Sequence, residues 1–299
     1  MNVFLAAYKN ELRLSLRDRN PQIIIFIFLI LSSLSTLIGW LTVRNVGRIF
    51  TDVKALGLTS APNPFTGVPS LYFTRDNVIY VILVGSLMAI VLGVQSAIRA
   101  RQSETAILIK SRNVKAGTLY LGQICAIFTI LMLALLLTST LTLISIWMIQ
   151  GSPMNFSVSL RYFAFLFISW LLLSGLAALG ILFGSWAKNE EGAFLNPFVC
   201  WSIVVFIIPL AATGVRPIAL LNPTSSFTES SGIPNWVHNI LNPFMLMEHF
   251  KAIGNWLLGL ESTRKINTLD FLIFACSSIL ALTVPYLFAN RSLGKKLNV

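Results

Sequence analysis

The sequence predicts an all-α integral membrane protein with six transmembrane helices, preceded by an N-terminal interfacial amphipathic helix and with both termini cytoplasmic. Of its 299 residues, 56% are hydrophobic and 11% are charged, whereas an ordinary soluble domain is about 25% charged. The mean hydropathy is +0.78, and the apolar residues form blocks long enough to cross roughly 30 Å of hydrocarbon. This composition excludes a soluble globule, a disordered chain and a nucleic-acid-binding module.

Residues 1–20 are predicted to form the amphipathic helix at the membrane interface. Four apolar residues of this segment recur at every fourth position: Phe4, Tyr8, Leu12 and Leu16. The basic residues form the neighbouring stripe: Lys9, Arg13 and Arg17. The segment has no uninterrupted apolar core and no small-residue cleavage site, so it is not predicted to be a signal peptide. We expect the apolar stripe to lie in the interface while the basic side chains reach the headgroups.

The remainder of the chain, residues 21–299, is predicted to be one six-span transmembrane domain. In chain order the predicted spans cover residues 21–43, 77–98, 119–148, 161–186, 195–213 and 269–289. The third is about 30 residues long, so it is expected to be tilted or to extend past the membrane.

The distribution of basic residues predicts the orientation. The formal net charge is +11. Thirteen of the 22 Lys and Arg residues fall on the side that carries both termini, within about 60 residues, and nine fall on the other side within about 100 residues. The denser side is cytoplasmic by the positive-inside rule. It includes a basic cytoplasmic tail, residues 290–299.

Two external loops are long. Loop 44–76 carries three prolines and a glycine in 62–69, so it is expected to be irregular. Loop 214–268 contains a further apolar stretch, residues 244–260, which is short for a span. Three polar residues interrupt that stretch: Glu248, His249 and Lys251. We expect it to form an interfacial or re-entrant helix.

The sequence contains no set of residues that predicts catalysis. The interiors of the six blocks contain no Asp, Glu, Lys, Arg or His, which counts against a carrier coupled to protons or ions. His238 and His249 are predicted to be structural or interfacial rather than metal ligands. The stretch 294–296 (Gly-Lys-Lys) lacks the first glycine and the hydroxyl of a phosphate-binding loop. We therefore predict no catalytic residue, no metal and no cofactor in this chain, and energy for any uphill transport has to come from a partner.

The cytoplasmic segment 99–118, called the coupling segment below, is the most informative. Glu104 precedes an apolar step at 106–109, and basic residues follow it as far as Lys115. A short helix with an apolar ridge and a charged rim could seat in a groove on a partner and transmit a rigid-body push. An ordinary solvated basic turn explains the same spacing equally well.

The coupling segment resembles the first cytoplasmic loop of the ABC type-2 exporter permeases. That loop has an acidic residue, a Gly-Thr-Leu-like step with further leucines, a Ser-Arg-Pro-Val-Ser-Arg-like turn, and a Gly-Lys at the start of the next span. Here Glu104 matches the acid, 107–109 the apolar run, 111–115 the turn and 121–123 the start of the span. Three positions depart from the pattern, where the family has Gly, Pro and Lys: Ala106, Asn113 and Gln123.

The order of elements is similar to this family over nearly the whole chain. It includes the N-terminal helix, six spans, a short polar loop at 188–193 and the long external segment before the last span. The Asn-Pro steps in 220–227 and 241–244 are similar to external steps in relatives, notably permeases for gliding motility and for nitrous-oxide-reductase maturation. The resemblance implies a multi-pass protein of the bacterial cytoplasmic (inner) membrane. It also implies two permease subunits above two ATPase subunits, which bind the ATP and Mg²⁺.

The resemblance assigns roles to individual residues. Those expected to couple to the ATPase subunit lie in the coupling segment: Arg101, Glu104, Ile107, Leu108, Lys110, Arg112 and Lys115. A second contact is expected in the polar loop: Lys188, Glu190 and Glu191. Gly180 and Gly184 form a small-xxx-small pair that allows close helix approach. That pair suits either a dimer contact or packing within one subunit.

The predicted function is therefore the membrane subunit of an ATP-driven exporter, which is not itself an enzyme. Its expected partners are the ABC ATPase subunits, a second permease copy or related permease, and membrane lipids, with no nucleic acid. One alternative is a permease relative that transports nothing and relays ATPase motion to an external partner protein docked on loops 44–76 and 214–268. The other is a membrane enzyme or scaffold that is independent of ATP.

Overall fold

A computed structural model describes residues 3–63, 69–102, 116–151, 154–214, 220–223, 234–260 and 266–297. Helices account for nearly all of these residues, and none of them lies in a strand. Six of the helices are long and apolar enough to cross a membrane. The predicted all-helical architecture with six spans is confirmed at this level.

The helices are numbered here in chain order. Their bounds are α1 Val3–Arg17, α2 Arg19–Ala55, α3 residues 77–102, α4 Ala116–Gln150, α5 Phe156–Trp186, α6 Glu190–Thr213, α7 Asn235–Leu241, α8 Leu246–Leu258 and α9 Thr268–Leu297. The spanning helices are α2 to α6 and α9. A 3₁₀ helix, Ser70–Thr74, precedes α3. Both α3 and α6 contain a π-helical turn, at Val81–Gly85 and Ile203–Ile207.

The loop predicted at 44–76 is shorter in the structure, because α2 continues through residue 55. Its 37 residues correspond to about 55 Å of helix, well beyond the hydrocarbon core. Arg44 and Arg48 end the apolar run but do not end the helix, since arginine is a good helix former. The helix stops only before Gly57, whose φ of +72° favours glycine.

Two further boundaries differ from the prediction. The polar loop after α5 is shorter than 188–193, because Asn189 caps α6 by accepting a hydrogen bond from the Gly192 N–H at 3.3 Å. Glu190 and Glu191 therefore belong to the first turn of α6. The last helix continues past the predicted end of its span at residue 289 into the basic tail, since α9 remains helical to residue 297. Its apolar run simply ends earlier than the helix does.

Glycines bring α3 and α5 into close contact. A Cβ on Gly180 would lie 2.5 Å from the carbonyl oxygen of Ile90, and one on Gly184 would lie 2.8 Å from the Ala97 Cβ. A Cβ on Gly93 of α3 would overlap the carbonyl oxygen of Ala177. Small residues at such crossings allow helix backbones to pack directly against each other. The Gly180 and Gly184 pair thus packs within the chain, so it gives no argument for a dimer.

Tryptophan side chains link the neighbouring spans. The indole N–H of Trp170 in α5 donates to the carbonyl oxygen of Phe128 in α4 at 3.0 Å. The indole N–H of Trp201 in α6 donates to the Ser86 hydroxyl of α3 at 2.6 Å, deep in the protein. Hydrogen bonds of this kind satisfy polar groups that have no water to bind between spans.

The described bundle has two distinct ends. At one, α1 packs beside the end of α3 and the start of α4. We call this the amino-terminal end. At the other, α8 packs against the starts of α3, α5 and α9, where Phe250 contacts Phe165 and Phe274 with ring centroids 6.0 and 6.1 Å apart. We call this the opposite end.

Candidate functional site

Most of the predicted coupling residues lie outside the described residues. These are Glu104, Ile107, Leu108, Lys110, Arg112 and Lys115. Arg101 lies in the last turn of α3, where the backbone alone is described. The structure therefore describes the coupling segment by what holds its two ends, namely the last turn of α3 and the first turns of α4.

Arg99, the first residue of the coupling segment, ties α3 to α1. Its guanidinium donates to the Glu11 carboxylate at 2.6 Å, to the Ser15 hydroxyl at 2.7 Å and to the Asp18 carboxylate at 3.1 Å. The side chains of Glu11 and Arg99 are 4% and 20% exposed, so the pair is largely shielded from water. Asp18 also accepts from the Asn20 N–H at the start of α2. One arginine thus joins α1, α2 and α3.

The start of α4 is held on the same helix. Gly122 faces α1 so closely that a Cβ there would lie 2.7 Å from the Ala7 Cβ and 3.0 Å from the Phe4 carbonyl oxygen. Two turns further along α4, the Thr129 hydroxyl lies 3.1 Å from the Tyr8 hydroxyl, and the two share a hydrogen bond. Because α1 holds both α3 and α4, the two ends of the coupling segment rest on one support.

The face that α1 buries is broader than the predicted apolar stripe. Phe4, Tyr8 and Leu12 are half-buried, but Leu16 is exposed. The fully buried residues are polar, Glu11 and Ser15, because they meet Arg99. The basic stripe is exposed as predicted: Lys9, Arg13 and Arg17. In this helix the apolar stripe thus contacts α4 as well as presenting apolar surface outward.

The predicted second contact lies at the start of α6. Lys188, Glu190 and Glu191 are all exposed. The two glutamates occupy the first turn, where the helix dipole stabilises negative charge. They form a small exposed polar surface close to the end of α5, whose Trp186 contacts Phe288 of α9 with ring centroids 5.4 Å apart.

Helix α8 holds a buried ion pair at the opposite end, which the sequence reasoning missed. The Lys251 ammonium donates to the Glu248 carboxylate at 2.8 Å and to the Leu220 carbonyl oxygen at 2.6 Å. The two side chains are only 3% and 1% exposed. The residues expected to interrupt an apolar stretch at the surface are turned inward instead.

A second buried pair lies beside the first. The Nδ1 atom of His249 lies 2.8 Å from an oxygen of Asp270, and Nε2 lies 2.9 Å from the Asn242 carbonyl oxygen. A carbonyl oxygen only accepts, so Nε2 carries a proton. The contact between Nδ1 and Asp270 needs a second proton, on one atom or the other. Asp270 also accepts from the Asn267 N–H at 2.9 Å, which begins α9.

These two pairs make α8 a plug buried within the protein, and its interfacial or re-entrant placement stays a prediction. Eleven of its 13 residues are buried, and Gly259, with a φ of +68°, ends it. Arg161 of α5 donates to the Trp256 carbonyl oxygen near that end at 2.7 Å. Every charged group within α8 is neutralised by a neighbour, as burial demands. The arrangement suits mechanical fixation, and the structural or interfacial role of His249 stays a prediction.

One signal in the sequence could have identified the contact between α1 and Arg99. Glu11 is the only acidic residue in α1 and lies beside the apolar stripe, between Tyr8 and Ser15. A single carboxylate at that place indicates a cation on a neighbouring helix. The partners of α8 gave no comparable signal, since Leu220 and Asp270 are distant in the sequence, and Leu220 and Asn242 supply backbone oxygens, which every residue carries.

Comparison with known proteins gives no family for this chain. No protein-family model matches it, and no curated protein sequence matches it.

Proposed function

We propose that this chain is the membrane subunit of an ABC type-2 exporter, which couples ATP hydrolysis by a separate ATPase subunit to movement of a substrate across the bacterial cytoplasmic membrane. In this proposal the amino-terminal end faces the cytoplasm, α1 lies at the inner interface, and a second permease subunit completes the substrate route. ATP and Mg²⁺ belong to the ATPase subunit.

The observation that carries the proposal is the anchoring of the coupling segment on α1. Arg99 holds the α3 side through three charged or polar partners, and Gly122 and Tyr8 hold the α4 side. A push on a segment held at both ends moves α1, α3 and α4 together, because close-packed protein transmits displacement instead of absorbing it. A loop needed only for topology has no use for such support.

The contacts continue from this support to the opposite end. The glycine crossing at Gly93 and Gly180 joins α3 to α5 without intervening side chains. The far end of α5 then contacts α8 through Phe165 and Arg161. A displacement of α3 would therefore move α5 and the plug that α8 forms.

This continuity favours one second candidate, a permease that relays force to an external partner and transports nothing. The rigid extension of α2 to residue 55 would then belong to the external docking surface. The two functions differ in what drives ATP turnover. An exporter hydrolyses ATP with its substrate alone, whereas a force relay needs the external protein and gives no substrate flux.

The test is an affinity purification of the tagged chain from its native membranes in mild detergent, followed by an ATPase assay on the proteins that co-purify. We expect a near-stoichiometric soluble subunit with a phosphate-binding loop. The Glu104→Ala/Arg112→Ala variant should reduce ATPase retention by about tenfold or more, because two charged contacts are lost.

The matched control changes one acid and one base at the opposite end, Asp52→Ala/Lys54→Ala, both exposed on α2. It should retain the ATPase subunit as the wild type does. Purification of the wild-type chain alone and without ATP turnover would contradict the proposal and favour a scaffold or enzyme independent of ATP. Equal loss in both variants would show that the coupling segment is not the contact.

A further inference from the structure

A cleft at the opposite end, beside α2, has an arrangement that the proposed function does not use. Its volume is about 270 Å³, slightly below the range of roughly 300–1,000 Å³ typical of pockets for drug-sized ligands. One wall is a single face of α2: Trp40, Val43, Arg44, Gly47, Arg48 and Thr51. Asn63 and Phe73 form the other wall.

The second wall is fixed to α2 by specific contacts. The Asn63 amide donates to the Gly47 carbonyl oxygen at 3.0 Å and to the Thr51 hydroxyl at 3.3 Å. The Phe73 backbone packs against Gly39, where a Cβ would lie 2.8 Å from the Phe73 carbonyl oxygen. The cleft is therefore a built feature of the fold.

The cleft carries positive charge without a neutralising acid. Among the described ion pairs, none involves Arg44 or Arg48. Asp52 lies one turn beyond Arg48 and does not line the cleft. The Arg44 guanidinium stacks over the Trp40 ring at 5.3 Å from its centroid, which orients its planar donors. Two guanidiniums one helical turn apart match the oxygens of a phosphate.

The position of the cleft indicates what the phosphate belongs to. Arg44 is the first charged residue after the apolar run of α2, and Trp40 is a residue type enriched at the boundary between membrane and water. The cleft thus lies at headgroup depth, with its arginines exposed to the surface. We propose that it binds the phosphate of an anionic phospholipid headgroup in the leaflet at the opposite end. This inference does not depend on an ATPase partner.

The test is native mass spectrometry of the full chain in detergent, titrated with phosphatidylglycerol, with phosphatidylcholine or with inorganic phosphate. We expect saturable retention of phosphatidylglycerol by the wild type. Arg44→Gln/Arg48→Gln should weaken it by about 30-fold, because two charges near the headgroup are removed. Saturation of the cleft by inorganic phosphate at equal concentration would overturn the lipid assignment in favour of a soluble anion.

The matched control is Lys54→Gln/Lys188→Gln, which removes two exposed basic side chains that do not line the cleft. We expect it to change lipid retention by less than about threefold. If both double variants lose lipid equally, the attraction is diffuse and the proposed site is wrong. Arg44→Lys/Arg48→Lys keeps the charge but not the planar fork, and we expect it to bind more weakly than the wild type. Binding equal to that of the wild type would also overturn a site built on guanidinium geometry.

Discussion

The two ends of the bundle hold their charges in different ways. At the amino-terminal end, Arg99 joins Glu11 and Asp18 near the rim, where Asp18 is 36% exposed. At the opposite end, the side chains of His249 and Asp270 are 0% exposed, and the adjacent Lys251 and Glu248 are nearly as buried. Water and salt reach the first network at Asp18 and do not reach the second.

This difference in exposure indicates at which end the charged groups can exchange partners and at which end they are fixed. A charge network at the rim exchanges partners at low cost, since solvent replaces a lost contact. A network in the interior cannot do so, because any charge that loses its neighbour pays for its full desolvation. The rim network suits the end at which an ATPase subunit would dock, and the buried network suits a rigid cap.

The largest expected effect comes from breaking the buried pair on α8. Lys251→Met takes the ammonium away from the Glu248 carboxylate, and we expect it to lower the free energy of unfolding by about 3–5 kcal/mol. Denaturant titration in detergent measures this value. Lys54→Met, on the exposed side of α2, is the control and should change it by less than about 0.5 kcal/mol. Equal effects of the two substitutions would show that burial of the Lys251–Glu248 pair does not determine its contribution to stability.

The next effect concerns the contact between His249 and Asp270. Asp270→Leu removes the oxygens that hold the His249 ring and the Asn267 N–H, and we expect a loss of about 2 kcal/mol of unfolding free energy. Asp270→Asn keeps a polar group of the same shape and should cost less than half as much. A result in which Asn is as damaging as Leu would mean that the charge of Asp270, rather than its hydrogen bonds, holds α9.

A smaller effect is expected at the rim. Arg99→Gln should lower the unfolding free energy by about 1–2 kcal/mol, because Asp18 is partly solvated whereas the buried Glu11 carboxylate loses its cation. The difference from wild type should shrink in 1 M salt, where the Debye length is about 3 Å. The effect of Lys251→Met should persist under the same conditions. A salt-insensitive Arg99 effect would remove the distinction drawn between the two ends.

The smallest effect on stability is expected at the phosphate cleft. Arg44→Gln/Arg48→Gln changes exposed side chains, so the unfolding free energy in detergent without lipid should stay within about 0.5 kcal/mol of wild type. The same titration with phosphatidylglycerol should stabilise only the wild type, since binding to the native state adds to its stability. If the lipid stabilised both proteins equally, its effect would not come from binding in the cleft.

The sequence was sufficient for the spans but not for the networks. Block length alone predicted the six spanning helices, because the hydrocarbon thickness sets the length of an apolar helix. The continuation of α2 past Arg44 was missed because a charge ends an apolar run without ending a helix. The burial of Lys251 and His249 could not be predicted, since it depends on the Leu220 backbone and the Asp270 side chain, which only the folded chain brings near.

The residues of the candidate site also differ in how far the sequence could predict them. Glu104 and Arg112 came from a resemblance to a family motif, and they stay a prediction. Gly180 and Gly184 suited two arrangements, and the backbone of α3 decided between them. The pairing of Arg99 with Glu11 spans 88 positions, and only the lone acid of α1 hinted at it.

The most direct test of the central claim is the sidedness of the two ends, because an ATPase that uses cellular ATP can reach only a cytoplasmic surface. Lys9→Cys and Lys54→Cys place single thiols at exposed positions of the amino-terminal end and the opposite end, in a chain whose three native cysteines are replaced. A membrane-impermeant maleimide is then applied to intact cells and to permeabilised cells. The account predicts labelling at position 54 in intact cells and at position 9 only after permeabilisation. Labelling of position 9 in intact cells would place the coupling segment outside and contradict the proposal.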